Sequence, residues 1–233
     1  MDSETPSAGR KRVRARPGRP RGEQPGAARE RLLDSAETLF ALHGFHGVAV
    51  RDVTNAASVD VALLHYHFNT KRGLFDAVFS RRAEILNQDR HDAFALIEPD
   101  LKPGRASILA LIDAFVRPVL QRCAHGGPGW KSYCALLALV NNTPDWGGET
   151  MARSFDPVVH RLTAGMKKAL PEAADEDLYW AFHFLSGALS LTLADTGRID
   201  LLSNHLCTSH DVAAVTDRMV AYCAAGFMAL AAR

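Results

Sequence analysis

Apolar residues recur at intervals of three and four along most of the chain after residue 26, and this periodicity restricts the fold more than any other feature. In the first such segment it is carried by Leu32, Leu33, Ala36, Leu39, Phe40 and His43. Gly44 follows where a C-cap glycine would end the helix. No segment shows sustained period-two alternation with β-branched residues, so we predict an all-α protein without a sheet.

Prolines and glycines divide the remaining periodic segments. Asn69–Lys71 is expected to open a long helix that continues to about Leu96 and ends before Pro99. Five further helices are predicted at 104–124, 130–142, 147–169, 175–195 and 211–232.

A helix-turn-helix is predicted ahead of the long helix. Val50, Val53 and Ala57 suit one short helix, and Ser58-Val59 suits a turn. Asp60 is a good N-cap for a second helix over 61–68. Such a second helix lies in the DNA major groove with its first residues at the base edges.

This second helix ends in a row of polar aromatic residues. The apolar residues at 61–63 can touch thymine methyl groups, whereas the tips of His65, Tyr66 and His67 can reach phosphate oxygens. Lys71 begins the next helix, where its ammonium and the free helix amides both favour a phosphate.

The net charge of +1 conceals a basic N-terminus. Residues 1–22 carry seven Arg and Lys residues against Asp2 and Glu4, a net charge of +5, so residues 23–233 sum to −4. Residues 1–26 contain almost no large apolar residue and are predicted to be a disordered basic arm. RPGRPRG, at 16–22, resembles an AT-hook, which suits a narrow minor groove. The alternative is a solvated tail that only aids solubility.

Composition favours an ordinary soluble protein, with 47% hydrophobic and 23% charged residues. Uninterrupted apolar runs such as Ala135–Val140 are too short to span a bilayer, and no secretory signal follows the basic start. The four cysteines show no CxxC spacing and suit free thiols in a reducing compartment, so we expect a cytoplasmic protein without a membrane partner.

Patterns for catalysis, metals and cofactors are weak. The turn at 126–129 lacks the GK[ST] of a phosphate loop, and no GxSxG, HExxH or paired-carboxylate motif occurs. His65 and His67 do not share a helix face, and nothing completes a ligand set around His205 and His210. We therefore expect no catalytic residue, metal or cofactor. An all-α enzyme and a ligand-independent architectural DNA binder stay open as rival functions.

The segment Arg29–Phe79 resembles the DNA-binding domain of the TetR family of transcriptional repressors. The resemblance is carried by LFALHGF (39–45), VRDV (50–53), Ala56, Ala57, Val59, YHF (66–68) and Lys71. It implies an all-α homodimer with three N-terminal DNA-binding helices and a larger effector-binding domain. The expected divisions are a basic arm at 1–26, a helix-turn-helix domain at 27–75, and a ligand-binding and dimerisation domain at 76–233.

By position, the resemblance assigns DNA contacts to Arg51, Val61, Ala62, Leu63, His65, Tyr66, Thr70 and Lys71. Arg16, Arg19 and Arg21 of the arm are added as minor-groove candidates. The chain departs from the family pattern at Val48, Ala49, Ser58, Val61 and His65. The first two replace a Thr or Ser that caps the helix and touches a phosphate.

The C-terminal half is similar to the fatty-acid- or acyl-responsive branch of the family, in FSRRAEILNQDR (79–90), LYWAFHFLSGAL (178–189) and MVAYCAAGFMAL (219–230). Expected ligand-site residues are Asn87, Arg90, His91, Trp130, Tyr133, Cys134, Met166, Trp180, His183 and Phe184. Each alone also suits an ordinary core or surface residue. Arg90 is the natural partner for a carboxylate or phosphate.

The last two predicted helices carry apolar stripes with small residues between them, a pattern typical of a four-helix dimer interface. Ordinary monomer core is the alternative. A palindromic operator needs two recognition helices about 34 Å apart, which favours a homodimer. The sequence as a whole predicts a repressor released from operator DNA by a small, largely apolar effector, with a fatty acid, an acyl-CoA or an aromatic compound as candidates.

Overall fold

The computed structural model describes residues 26–144 and 146–232, and all regular secondary structure in these ranges is helical. The helices are α1 (Ala27–His43), α2 (Val50–Ala57), α3 (Val61–Phe68), α4 (Lys71–Ile97), α5 (Arg105–His125), α6 (Pro128–Asn141), α7 (Gly147–Ala169), α8 (Asp175–Leu193), α9 (Arg198–Leu202) and α10 (Val212–Ala231). The all-α prediction is confirmed. Helix α9 and a 3-10 turn at Glu98–Asp100 were not predicted. The basic arm lies outside the described residues, and the predicted division at 75/76 falls inside α4.

Near the starts of helices in the N-terminal domain, side chains accept hydrogen bonds from backbone amides. Asp52 accepts a 2.7 Å hydrogen bond from the amide of Ala49, the N-cap residue of α2. Ala49 has no side-chain oxygen, so the first-turn contact of the usual Thr or Ser is absent. Asp60 caps α3 through the Ala62 amide, at 2.7 Å, as predicted. Ser58 takes the left-handed conformation between α2 and α3, with φ 54°, so the turn forms without its usual glycine.

A buried ionic cluster joins α1 to α4. Glu37 is 2% exposed and accepts hydrogen bonds from Arg81 Nη2 at 3.1 Å and Arg82 Nε at 2.5 Å. We call these three residues the Glu37 clamp. Gly129, in the first turn of α6, lies so close that an added Cβ would be 2.1 Å from Arg82 Nη2. A side chain at residue 129 would therefore displace the Arg82 guanidinium from its present position in the clamp.

Aromatic rings and one arginine connect the N-terminal domain to α7. Trp146 precedes α7 and meets Phe45 and Phe75 edge-on, at centroid distances of 5.6 and 5.1 Å. Arg72 of α4 lies 4.8 Å over the Trp146 ring and donates from Nη2 to Thr150 Oγ1 at 2.8 Å. The start of α4 and the start of α7 are thus held together.

The C-terminal domain surrounds α5, which packs against α4, α7 and α10. Helices α5 and α7 contain Pro118 and Pro157, each of which removes one amide donor from its helix. Helix α10 packs chiefly on α5 and α8. Among the described helices it alone is long and apolar enough to cross a membrane by length and composition, with 28% of its apolar window buried. The short contiguous apolar runs of the sequence had not predicted a helix with this property.

Candidate functional site

The recognition helix α3 has two distinct faces. Leu64 and Phe68 point into the core, at 0% and 7% exposure. Ala62, His65 and Tyr66 point outward, and Tyr66 is 81% exposed. A large aromatic side chain exposed to that degree has no packing role within the chain, so this face is available to a partner.

The C-terminal end of α3 is fixed by hydrogen bonds. His65 Nδ1 lies 2.8 Å from the Asn69 carbonyl oxygen, and Asn69 has φ 63° at the helix end. Thr70 caps α4 by accepting from the Gly73 amide at 2.9 Å. Lys71 stands 4.5 Å over the Phe45 ring, and partial burial lowers its pKa. Helix α4 therefore begins beside α3. The amides of its first turn and the Lys71 ammonium could bind an anion there.

The structure brings together the predicted DNA-contacting residues that it describes. Val61 and Leu63 are half-buried, while Arg51 and Thr70 are exposed on the same domain as α3. His67 packs edge-on against Tyr66, at 5.1 Å, and supports it. Arg16, Arg19 and Arg21 lie outside the described residues.

A small cavity of about 100 Å³ lies between α4, α5, α6, α7 and α8. Arg90 forms one wall, and the polar residues Asn141, Ser186 and Ser190 form another. Asn141 Nδ2 donates to Ser186 Oγ at 3.1 Å and to Ser190 Oγ at 2.6 Å. The rest of the lining is largely apolar and includes Phe115, Leu137, Met151, Phe155, Val159, Phe182, Leu189 and Leu193.

Of the ten ligand-site residues predicted from sequence, Arg90 lines this cavity and the other nine do not. Asn87 donates to the Ser154 carbonyl at 2.7 Å, and His91 Nδ1 lies 2.9 Å from Arg161 Nη1. The other buried members of the set, Trp130, Tyr133, Cys134 and Met166, pack in the core. Burial raises the Tyr133 pKa well above its ordinary value.

Trp180, His183 and Phe184 lie on the outward face of α8, away from the cavity. The Trp180 and Phe184 rings stack at 6.0 Å and are 51% and 60% exposed, with His183 edge-on to both. Helix α8 is apolar around most of its circumference, so the sequence pattern could not separate its inner from its outer face.

The polar wall of the cavity was not found from sequence. Ser186 and Ser190 are four residues apart on α8 and share a face, which is a weak signal because serine is common on helices. Asn141 is the last residue of α6, and only the fold brings it to α8. Among the described residues, no group of three or more His, Cys, Asp or Glu side chains could hold a metal ion.

Two family models match the chain. "Bacterial regulatory proteins, tetR family" matches residues 32–78, and "Tetracyclin repressor-like, C-terminal domain" matches 113–226. The first covers most of α1, all of α2 and α3, and the start of α4. The second covers all of α6 to α9 with parts of α5 and α10.

Curated relatives match over shorter segments. The HTH-type transcriptional repressor KstR2 of Rhodococcus jostii is 38% identical over 66 residues, 25% of this chain and 32% of that protein. The HTH-type transcriptional repressor AcnR of Corynebacterium glutamicum is 31% identical over 72 residues, 29% of this chain and 38% of that protein. The matched segment therefore spans little more than a third of the length of these relatives.

A solved structure is similar over nearly the whole chain. The transcriptional regulator FadR from Bacillus subtilis, in complex with stearoyl-CoA, has a TM-score of 0.61 and 11% identity. The likeness covers 85% of this chain and 98% of that one. Because the identity is only 11%, this structural likeness shows the fold alone.

Proposed function

Because this chain belongs to the tetR family of bacterial regulatory proteins, whose members are regulators and not enzymes, we propose that it is a transcriptional repressor. It binds a palindromic operator as a homodimer and leaves the operator when a small, largely apolar effector binds. The observation that carries the proposal is the outward face of α3, with Tyr66 exposed beside Thr70 and Lys71.

Each protomer places α3 in a major groove. Val61, Ala62 and Leu63 contact thymine methyl groups and cannot form bidentate hydrogen bonds with bases. Sequence preference then comes partly from the shape of the DNA. Arg51, His65, Tyr66, Thr70 and Lys71 contact phosphates, and the arm adds Arg16, Arg19 and Arg21 in the minor groove.

The dimer forms through the outer faces of α8 and α10. Tyr179, Trp180, Phe184 and Leu191 are 50–68% exposed on α8, and Tyr222 is 76% exposed on α10. Gly187 and Gly226 lie on the same faces, and a Cβ added to either would meet nothing within the protomer. Helical glycines that the protomer does not require fit the close approach of partner helices. The apolar surface of α10 is then covered by a second chain, which supports a cytoplasmic protein.

The cavity is the effector site, and α4 and α7 connect it to the DNA. Arg90 of α4 and Phe155 of α7 line the cavity, and the same helices meet at their N-terminal ends through Arg72 and Thr150. An effector that binds one arrangement of these helices more tightly shifts the dimer toward it. The aromatic lining favours a largely apolar ligand, and the FadR structure, which has the same fold, is a complex with stearoyl-CoA.

The test is binding to DNA upstream of the protein's own and neighbouring genes, measured across salt concentrations. Lys71→Ala is expected to weaken binding and to reduce the log–log salt slope by about 1, because one phosphate contact is lost. Removal of residues 1–22 should reduce the slope further.

Lys168→Ala, an exposed lysine near the far end of α7, is the matched control and should leave the slope unchanged. Weak binding with no preference among the upstream fragments would contradict the repressor function. A salt slope in Lys71→Ala equal to that of the wild type would contradict the placement of Lys71 at a phosphate.

The dimer is tested by Gly226→Ala and sedimentation. Alanine favours a free helix over glycine by about 1 kcal/mol, so a solvent-facing Gly226→Ala would be stabilising. At a close interface the added methyl group should instead weaken dimerisation by about tenfold. Gly148→Ala, also helical and with open space around its Cβ position, controls for helix propensity. An unchanged dimer in Gly226→Ala would remove this residue from the interface.

A further inference from the structure

Arg90 is a buried cation without an anionic partner. Its side chain is 2% exposed, and Nε donates to the Phe115 carbonyl oxygen at 2.9 Å. No carboxylate forms an ion pair with it among the described residues, and Nη1 and Nη2 donate no hydrogen bond there. Burying an unpaired charge costs several kcal/mol, so such a group calls for an explanation.

Two aromatic rings offset part of this cost. The guanidinium carbon lies 3.9 Å from the centre of the Phe115 ring and 5.7 Å from that of Phe155. Each ring face attracts a cation, and a desolvated contact contributes about 2 kcal/mol. Burial still lowers the Arg90 pKa to about 9, so the guanidinium remains protonated at neutral pH. The rings position the charge without neutralising it.

The cavity next to Arg90 is rich in hydrogen-bond donors. The Asn141 amide donates to the oxygens of Ser186 and Ser190, which leaves both hydroxyl hydrogens available. Neither hydroxyl donates to an acceptor among the described residues. The one carboxylate in the lining, Asp156, belongs to an exposed residue at the rim. An arginine and two hydroxyl donors around a small space suit the oxygens of an anion.

The size of the cavity restricts the ligand. Drug-sized ligands occupy about 300–1,000 Å³, whereas this cavity has about 100 Å³. A long acyl chain therefore does not fit. Met151 is flexible and half-buried, and its movement would admit a group about the size of one ring.

We propose that the cavity binds a compact organic carboxylate, whose two oxygens pair with the Arg90 guanidinium while its apolar body contacts Phe155 and Phe182. The proposal deepens the proposed function, since it names the chemical class of the effector and rests on the cavity being the effector site. Ser186 and Ser190 donate to the same carboxylate.

The experiment compares acids with their neutral amides on the full-length protein. Benzoate and phenylacetate are titrated by calorimetry beside benzamide and phenylacetamide, which have nearly the same shape. The acids should bind at least about tenfold more tightly than the amides, because a charge-assisted bidentate pair is lost in the amide. Equal affinity for acid and amide, or no binding of either acid, would overturn the proposal.

Substitutions test which residue causes the preference for acids over amides. Arg90→Met should abolish the preference for acids, and Ser190→Ala should weaken acid binding several-fold. Arg117→Met, an arginine of α5 paired with Asp113 outside the cavity, should bind the acids as the wild type does. Retained acid preference in Arg90→Met would overturn the proposal. If Arg90→Met does not fold, the acid–amide comparison on the wild type and on Ser190→Ala still decides.

Operator binding separates this inference from the proposed function. Acid binding that depends on Arg90 but leaves DNA affinity unchanged would support the carboxylate site and contradict release by an effector. Selective binding to one upstream fragment, together with no binding of either acid in calorimetry, would support the DNA-binding function and contradict the carboxylate site.

Discussion

Helix α4 carries two buried cationic sites, and they are built differently. Near its middle, Arg81 and Arg82 share Glu37, a carboxylate that is 2% exposed. Eight residues further on, Arg90 is equally buried and has a backbone carbonyl and two aromatic rings as partners. The first site pairs its cations with a carboxylate of the same chain and fits a structural role. The second contains a charge without an anionic partner among the described residues, and the proposed carboxylate ligand would supply one.

The largest expected effect comes from breaking the complete site. Glu37→Gln keeps the shape of the side chain and removes its charge. Arg82 then has no anionic partner among the described residues, and Arg81 keeps only its exposed partners Glu30 and Asp34. Because Arg81 and Arg82 are 22% and 16% exposed, water screens part of the loss. The free energy of unfolding should fall by about 2–3 kcal/mol, below the loss for a fully buried pair.

Guanidinium chloride unfolding at fixed protein concentration measures this loss. Asp34→Asn is the control, since Asp34 is an exposed partner of the same Arg81 and should contribute less than about 0.5 kcal/mol. Equal losses in the two variants would mean that burial of Glu37 does not distinguish the clamp from a surface ion pair.

A carboxylate built into the cavity would make the second site resemble the first. Ser190→Asp is expected to be more stable than Ser190→Asn by about 1–2 kcal/mol, because only the aspartate can pair with Arg90. Thermal unfolding of the two variants checks this difference, and their nearly equal size makes them a matched pair. Ser190→Asp should also bind benzoate less well than Ser190→Asn does. An aspartate variant less stable than the asparagine one would show that Arg90 does not face Ser190.

The smallest effect is expected from a half-buried ion pair, which extends the comparison toward the surface. Glu98 accepts from Arg161 Nε and Nη2 at 2.7 and 2.8 Å, and these bonds lower the pKa of Glu98. Its stabilisation is therefore present above the unfolded pKa of about 4.3 and is lost as the pH falls through the lower folded value. Glu98→Gln should lose under about 1 kcal/mol at pH 7 and nothing in acid below both pKa values.

Urea unfolding at neutral and acidic pH tests whether the stabilisation by Glu98 is lost over this pH range. Glu172→Gln is the control, because Glu172 is exposed and has no ion pair among the described residues. A loss in Glu98→Gln that stayed constant with pH would mean that the carboxylate charge is not its cause.

The helices of this protein could be predicted because their signals are local. Asp60 caps α3 and Thr70 caps α4, and each cap lies within three residues of the amide it binds. Helix α9 was missed because five residues are too few to show a periodic face, and Ile199, Leu201 and Leu202 are all substantially exposed. Tertiary surroundings, and not periodicity, define that segment.

The interior site could be predicted only in part. Arg90 was a candidate because a guanidinium suits a carboxylate or phosphate. Its burial could not be predicted, because charged residues surround it in the sequence of α4. Trp180 and Phe184 were assigned to the same site because aromatic residues suit a ligand pocket, yet they face outward on α8. Which side of an apolar helix points inward depends on the helices packed against it. Asn141 and Ser190 meet only once α6 and α8 are in place.

The position of the Glu37 clamp along α4 has a mechanical consequence. Lys71 lies about 16 Å from the clamp on one side, and Arg90 lies about 13 Å from it on the other, at 1.5 Å per residue. If the clamp acts as the pivot of a rigid helix, the two arms of this lever are nearly equal. A displacement at Arg90 would then reach the DNA end with similar amplitude and in the opposite direction. The size of the change in the cavity would directly set the size of the shift at the phosphate backbone.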